Sequence, residues 1–193
     1  NRMTSRKGSL KHSTGIGLVW GVAFNFGRDV IQFASMLILV RLLSPEIYGQ
    51  FAFAQAIQLF LAVASFKTIA PFALQARDPL QFDWDTHFSA GVTLNGVITA
   101  VTLTVAASIY FYGGENLQVV GFVLALMAFN FPIEVMSTHY FLWLQAFHMW
   151  RRMRFLLLLG VLAAAAISLT LAAMGAGIMA LVVGNVVFVL PLI

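Results

Sequence analysis

The feature that most constrains this 193-residue chain is its first long apolar segment, which carries charged residues at its centre. A helix of ~20 residues, rising ~1.5 Å per residue, crosses the ~30 Å hydrocarbon core of a bilayer, and residues 17–40 exceed that length. Arg28 and Asp29 lie near the middle of this segment. A charged group facing lipid at that depth costs roughly 2.5–3.5 kcal/mol or more. The segment must therefore face other protein or a water-filled cavity.

A polar stripe accompanies the two charges. Asn25, Arg28, Gln32 and Ser35 recur at steps of three and four residues, which places them on one face of a helix. The helical spacing therefore predicts that one side of this helix is polar along much of its length.

The composition identifies an integral membrane protein, because 61% of the residues are hydrophobic and 9% are charged, against about a quarter charged in soluble domains. The long apolar runs lack strand-like alternation, which favours helices over a barrel. The chain has no cysteine, so it has no disulfide, thiolate metal site or cysteine nucleophile. Four scattered histidines lack metal-ligand spacing, and no serine hydrolase motif is present. We therefore expect no metal, no cofactor and no enzymatic activity.

The predicted fold class is all-α, a polytopic transmembrane bundle of six helices that follows a basic N-terminal segment, residues 1–16. The predicted spans are residues 17–40, 47–74, 88–111, 117–144, 155–174 and 178–193. The last span reaches the final residue without a polar flank, so we expect the chain to continue in a longer protein.

Local signals predict several helix ends. Ser44 is suited to cap the second helix, with Pro45 at its first position and Glu46 at the positive end of its dipole. The glycines of the segment 175–177 predict a tight turn. The acidic pair of 83–85 resembles the D-x-D of glycosyltransferases, but a helix cap by Asp85 is the better interpretation.

The basic residues predict the orientation in the membrane. With the N-terminus in the cytoplasm, the inner segments hold eight basic residues and the outer segments hold Arg41 alone. The eight are Arg2, Arg6, Lys7, Lys11, Arg77, Arg151, Arg152 and Arg154. We expect a multi-pass membrane protein with a cytoplasmic N-terminus. Its cations serve topology, so nucleic acid is not an expected partner.

Two blocks of sequence resemble a known family. Gly21, the amphipathic first span and RLLSPEIYG at residues 41–49 resemble the entry to polysaccharide flippases of the multidrug/oligosaccharidyl-lipid/polysaccharide exporter superfamily. RRMRF at 151–155 and AMGAGIMALV at 173–182 resemble the fifth and sixth helices of that family. The chain departs from it at Phe66-Lys67-Thr68, where many relatives carry an acidic-Leu-Gly element.

The resemblance implies that the six helices form the N-terminal lobe of a two-lobed transporter. Such a protein flips polyprenyl-pyrophosphate-linked oligosaccharide by alternating access, for lipopolysaccharide O-antigen or exopolysaccharide synthesis. Membrane lipid, a polysaccharide polymerase and assembly proteins are the candidate partners. The alternatives are a cation-coupled drug exporter of the same superfamily and a non-transporting scaffold of polysaccharide assembly. An enzyme would need a catalytic cluster in a loop, and the outer loops are short.

Seven polar residues within the spans are candidates for the substrate path: Asn25, Arg28, Asp29, Gln32, Lys67, Asn130 and Glu134. At ~1.5 Å per residue, Arg28 and Glu134 lie roughly 16 and 15 Å from the cytoplasmic end of their spans. Arg28 could bind the pyrophosphate headgroup, since a guanidinium matches phosphate oxygens. Alternatively, it belongs to a packing network with Glu134 or with Asp29.

The other candidates also admit two interpretations. Asp29 and Glu134 could couple transport to protons or cations, but a carboxylate paired with Arg28 or Lys67 is the simpler expectation. Lys67 lies ~10 Å from the cytoplasmic end and could extend its ammonium to the interface. Asn130 and Pro132 predict a bend in the fourth span. Gly17 and Gly21 have the spacing of a helix-packing contact.

Overall fold

Helices make up all the regular secondary structure of residues 2–76 and 78–189, the part of the chain that the computed structural model describes. They are α1 (Arg2–Leu42), α2 (Pro45–Ala62), α3 (Phe66–Ile69), a 3-10 helix (Ala70–Gln75), α4 (Trp84–Tyr112), α5 (Glu115–Ala128), α6 (Asn130–Ala146), α7 (Trp150–Ala173) and α8 (Ile178–Val189). The prediction of an all-α fold is confirmed. Predictions that fall on Arg77 and on residues 190–193 lie outside the described residues.

Four helical segments in this part of the chain are long and apolar enough to cross a membrane: Gly21–Leu42, Trp84–Tyr112, Leu117–Ala146 and Trp150–Ala173. A fifth span results if α2 and the segment Phe66–Gln75 form one broken crossing, bent by 46°. The apolar helix Ile178–Phe188 is shorter. The chain is therefore a multi-pass membrane protein, and the predicted sixth span extends beyond the described residues.

The local signals at helix ends are resolved residue by residue. Ser44 caps α2, its side chain accepting a hydrogen bond from the Ile47 N–H at 3.4 Å, as predicted. Gly175 and Gly177 have φ values of +80° and +57°, which confirms the predicted turn. The predicted cap of the third span by Asp85 is wrong, because Asp83 caps α4 and Asp85 lies in its first turn.

The difference follows from where α4 begins. Trp84 is already helical, and its indole Nε1 donates to the Pro79 carbonyl at 2.9 Å. The preceding residue, Asp83, therefore takes the cap position and accepts from the Thr86 N–H at 3.0 Å. Hydrogen bonds from the Thr86 side chain and backbone hold the pKa of Asp83 below its ordinary value.

The bundle is packed around α4, α5 and α6. Helix α4 packs against both α5 and α6, α2 packs against α5, and α7 packs against α8 and α1. One buried apolar cluster joins α2, α4, α5 and α8 through Ala54, Ala106, Val120, Val123, Leu124, Met127 and Val182. The interior of the bundle is therefore formed mainly by α2 and α4–α8.

Helix α1 lies at the edge of this bundle, with α7 as its main packing partner. Within residues 21–42, whose burial is described, only Gly21 and Leu39 of α1 are buried. A side chain at Gly21 would overlap the guanidinium of Arg154 on α7, so this glycine permits the close contact. Most of the surface of residues 21–42 is consequently left uncovered by the described bundle.

Candidate functional site

Two interruptions of the helices place backbone polar groups inside the bundle, and the buried side chain of Asn95 on α4 connects them. Asn95 Oδ1 accepts from the Phe66 N–H at the start of α3, at 2.7 Å. Asn95 Nδ2 donates to the Phe131 carbonyl in the first turn of α6, also at 2.7 Å. An N–H at a helix start has no helical acceptor, so Asn95 supplies the missing partner. One amide therefore joins α3, α4 and α6.

The second interruption lies between α5 and α6, where the sequence predicted a bend from Asn130 and Pro132. Proline has no N–H to donate, so the regular helical ladder cannot continue through this turn. Gln58 on α2 donates from Nε2 to the Met127 carbonyl at 3.0 Å. Asn130, 6% exposed, donates from Nδ2 to Asn185 Oδ1 on α8 at 2.7 Å. Amide side chains from α2, α6 and α8 thus meet at this break.

An ion pair lies close to the first interruption. Lys67 Nζ on α3 is 2.9 Å from Glu134 Oε1 on α6, and the two side chains are 70% and 21% exposed. Glu134 therefore pairs with Lys67, which is one of the two partners expected for it, and not with Arg28. The Lys67 side chain is thus mostly exposed at the surface of the bundle, although its ammonium is paired with Glu134.

A second ion pair lies on α1. Arg28 donates from Nη2 and Nε to Asp29 Oδ1 at 2.8 and 3.0 Å, and the two side chains are 36% and 61% exposed. Asn25 and Gln32 on the same helix are exposed. This carboxylate engages only part of the guanidinium, which has further N–H donors. The polar stripe of α1 thus lies on a surface that the rest of the described bundle leaves open.

The structure places the seven predicted residues in three separate groups. Asn25, Arg28, Asp29 and Gln32 belong to α1, Lys67 pairs with Glu134, and Asn130 bonds Asn185. No hydrogen bond or ion pair among the described residues links the α1 group to Glu134 or Asn130. The predicted path residues are therefore not joined into a single hydrogen-bonded network among the described residues.

Sequence reasoning missed Gln58, Asn95 and Asn185. A usable signal existed for Asn95, because the buried residues of α4 are Gly91, Asn95, Ile98, Thr102 and Ala106, which recur at helical spacing. An amide on such a stripe of small residues indicates a polar group packed between helices. No comparable signal marks Gln58 or Asn185, because their acceptor and donor lie on helices distant in sequence.

The fold and its polar groups define a class of protein, an all-α multi-pass membrane protein with charged and amide side chains within its spans. Its family follows from comparison with known proteins. The model of the polysaccharide biosynthesis protein family matches residues 38–191, and the chain belongs to that family. No curated protein and no solved structure matches the chain. The family assigns the chain a role in polysaccharide biosynthesis and confirms the resemblance seen in the sequence.

Proposed function

We propose that this chain is a lobe of a flippase that moves polyprenyl-pyrophosphate-linked oligosaccharide across the bacterial inner membrane. The family supports a role in polysaccharide synthesis. The observation that carries the transport role is the open, charged face of α1. In this proposal the chain moves its substrate without making or breaking a bond, so it is not an enzyme.

The charged face of α1 favours a polar neighbour within the membrane. An Arg–Asp pair near the middle of a span is costly against lipid, even when the two charges are paired. Helix α7 covers one side of α1 and no other described helix packs extensively on it. A second lobe facing α1 across a hydrated gap would remove that cost. The gap between two such lobes is a suitable path for a charged headgroup attached to a lipid chain.

Arg28 is the residue best placed to assist that headgroup. Asp29 occupies one edge of the guanidinium, and its remaining N–H donors are suited to pyrophosphate oxygens. The exposed ammonium of Lys67 is a second cation that could meet a passing anion. We place the N-terminus in the cytoplasm, because the basic residues favour that side.

Replacement of Arg28 tests the proposal in a flippase-deficient strain. Two quantities are measured for each variant: polysaccharide export and the amount of the variant protein in the membrane. Arg28→Ala should largely abolish export at normal abundance, and Arg28→Lys should retain part of it because charge remains while the planar fork is lost. Arg41→Ala is the matched control, since it removes an exposed cation from the end of the same helix. It should leave export unchanged.

A purely structural role for Arg28 gives a different result. Removing Arg28 would then leave the Asp29 carboxylate unpaired in the membrane and lower protein abundance. The double variant Arg28→Ala/Asp29→Asn should in that case restore both abundance and export. Such a rescue, or normal export by Arg28→Ala, would contradict the proposed role.

A further inference from the structure

Two histidines lie inside a cluster of aromatic rings that the proposed transport path does not use. We call this cluster the aromatic box; it consists of His87 and His139 with Phe66, Phe82, Trp84 and Phe88. The His139 ring centre lies 5.5 Å from that of Trp84, in perpendicular orientation, and 6.4 Å from that of His87. The His87 ring lies 4.8 Å from that of Phe66. The box thus brings together α3, the loop before α4, α4 and α6.

Three of the four ring nitrogens of this pair are buried without a hydrogen-bond partner among the described residues. Neither nitrogen of His87 and not Nδ1 of His139 has a partner of acceptable distance and angle among the described residues. The Ala70 backbone is near enough to act electrostatically on His87 without meeting that geometry. Aromatic surroundings suit a neutral imidazole, whereas an imidazolium held there would lack the partners that a buried charge needs.

Several ionisable groups surround the box, and each could in principle respond to pH. The carboxylate of Asp85 on α4 and the His87 ring both act electrostatically on His139. The Lys67–Glu134 ion pair lies between α3 and α6 beside Phe66. Among the described residues, the other titratable groups on the contacting elements are Asp78 in the loop, Asp83 at the cap of α4, Tyr140 on α6, and Tyr110 and Tyr112 at the far end of α4; the 3-10 helix carries none.

The aromatic box also helps to hold the bent segment Phe66–Gln75 in place. Phe66, Ala70 and Ala73 from this segment share a buried cluster with Val135 and Leu142 of α6, and three rings of the box pack against that cluster. Gly91 allows the Phe66 ring to lie directly on α4, because a Cβ there would come within 2.9 Å of the ring. Disturbing the box should therefore loosen this segment before the rest of the bundle.

We propose that His87 and His139 form a proton-binding site, and that protonation releases the segment Phe66–Gln75 from α4 and α6. The neutral pair fits the closed box. A proton on His87 places charge on two buried ring nitrogens, and a proton on His139 places charge beside its buried Nδ1. Water or a new partner must stabilise either charge, which favours an opened state. The two rings are close, so a second proton is bound less readily than the first. This inference does not depend on the substrate of the chain.

Hydrogen exchange of the whole protein in lipid nanodiscs tests the site. The measurement compares amides of residues 66–75 at pH about 8 and about 5.5, on either side of the ordinary titration of imidazole, after correction for intrinsic rates. We expect several-fold more opening at the lower pH, because water can stabilise an imidazolium in the opened segment and the aromatic rings of the closed box cannot. Equal protection at both pH values would overturn the proposal.

Variants identify the responsible groups. His87→Phe with His139→Phe keeps the box aromatic and should abolish the pH response of residues 66–75. His148→Gln changes an exposed histidine outside the box, and Glu134→Gln removes the neighbouring carboxylate; both should retain the response. Asp83 does not confound the comparison, because its pKa lies below its ordinary value and its cap stays ionised throughout.

A response that persists in the double variant contradicts the proposal. Should the double variant not fold, the single variants His87→Phe and His139→Phe replace it. Each should show a smaller pH response than the unmodified protein, because one imidazole remains. An undiminished response in both single variants would assign the effect to another group.

Discussion

Asn95 joins three helices through the two hydrogen bonds of its side chain, to the Phe66 N–H and the Phe131 carbonyl. Interhelical hydrogen bonds in membranes average only about 0.6 kcal/mol in double-mutant cycles, because unfolded segments find other partners. The bond to Phe66 differs from that average case. It serves a backbone N–H at a helix start, where the helix itself provides no acceptor.

Replacing this amide should therefore be costly. Asn95→Ala leaves the Phe66 N–H buried and unpaired, and we expect a loss of about 1–3 kcal/mol in the free energy of unfolding. The measurement is unfolding of the purified protein in detergent. Thr104→Ala is the matched control on the same helix, because its exposed hydroxyl bonds only the Ala100 carbonyl one turn away. Equal stability of the two variants would show that Asn95 is dispensable for packing.

At the scale of the helices, glycine residues allow two pairs of helices to pack closely, α4 with α5 and α7 with α8. A Cβ at Gly121 on α5 would lie 2.8 Å from both the Ala106 carbonyl oxygen and the Tyr110 nitrogen of α4. A Cβ at Gly184 on α8 would meet the hydroxyl of Ser168 on α7. Such contacts let backbones approach closely, which is how membrane helices gain packing energy without a hydrophobic driving force.

Two glycine substitutions distinguish the effect of close packing between helices from the effect of helix propensity. Gly121→Ala should destabilise the protein by about 1–3 kcal/mol, because backbone atoms of α4 would have to move. Gly96→Ala on α4 meets no atom within 4 Å and should be neutral or stabilising by up to about 1 kcal/mol. Thermal unfolding in detergent measures both. A stable Gly121→Ala protein would mean that α4 and α5 can separate without loss.

At the scale of the whole molecule, α4 determines on which side of the membrane each of its two flanking segments lies. If α4 crosses the membrane, the loop before it and the turn after it lie on opposite sides. Leu80 in the first loop is 79% exposed and Tyr112 at the far end of α4 is 90% exposed. A labelling reagent can therefore reach both positions in the folded protein.

Cysteine labelling decides the orientation without a competing background, because the chain has no native cysteine. With a cytoplasmic N-terminus, and with α2 and Phe66–Gln75 forming one broken crossing, Tyr112→Cys should react with a membrane-impermeant thiol reagent in intact cells. Leu80→Cys should react only after the cells are permeabilised. If α2 and Phe66–Gln75 together cross the membrane once, the reverse pattern would place the N-terminus outside. Reaction of both positions in intact cells would contradict a crossing by α4.

The sequence alone determined the membrane class, the helical fold, the family, the cap at Ser44 and the turn at Gly175–Gly177. These properties depend on composition, hydrophobic run length and the conformational preferences of adjacent residues, all of which a linear chain displays. One local feature, the cap of α4 by Asp83, could not be predicted from the sequence. It depends on Trp84 entering the helix and bonding Pro79, a choice that the aromatic packing around Trp84 favours.

The tertiary structure alone decided which polar groups meet. The sequence offered two cationic partners for Glu134, namely Arg28 and Lys67. The fold brought Lys67 within 2.9 Å of it. Asn95 and the pair His87–His139 gained their roles in the same way, from helices far apart in sequence. Depth along a span can be read from residue spacing, but the direction that a side chain faces depends on which helices are neighbours. That arrangement follows from packing the whole bundle at once.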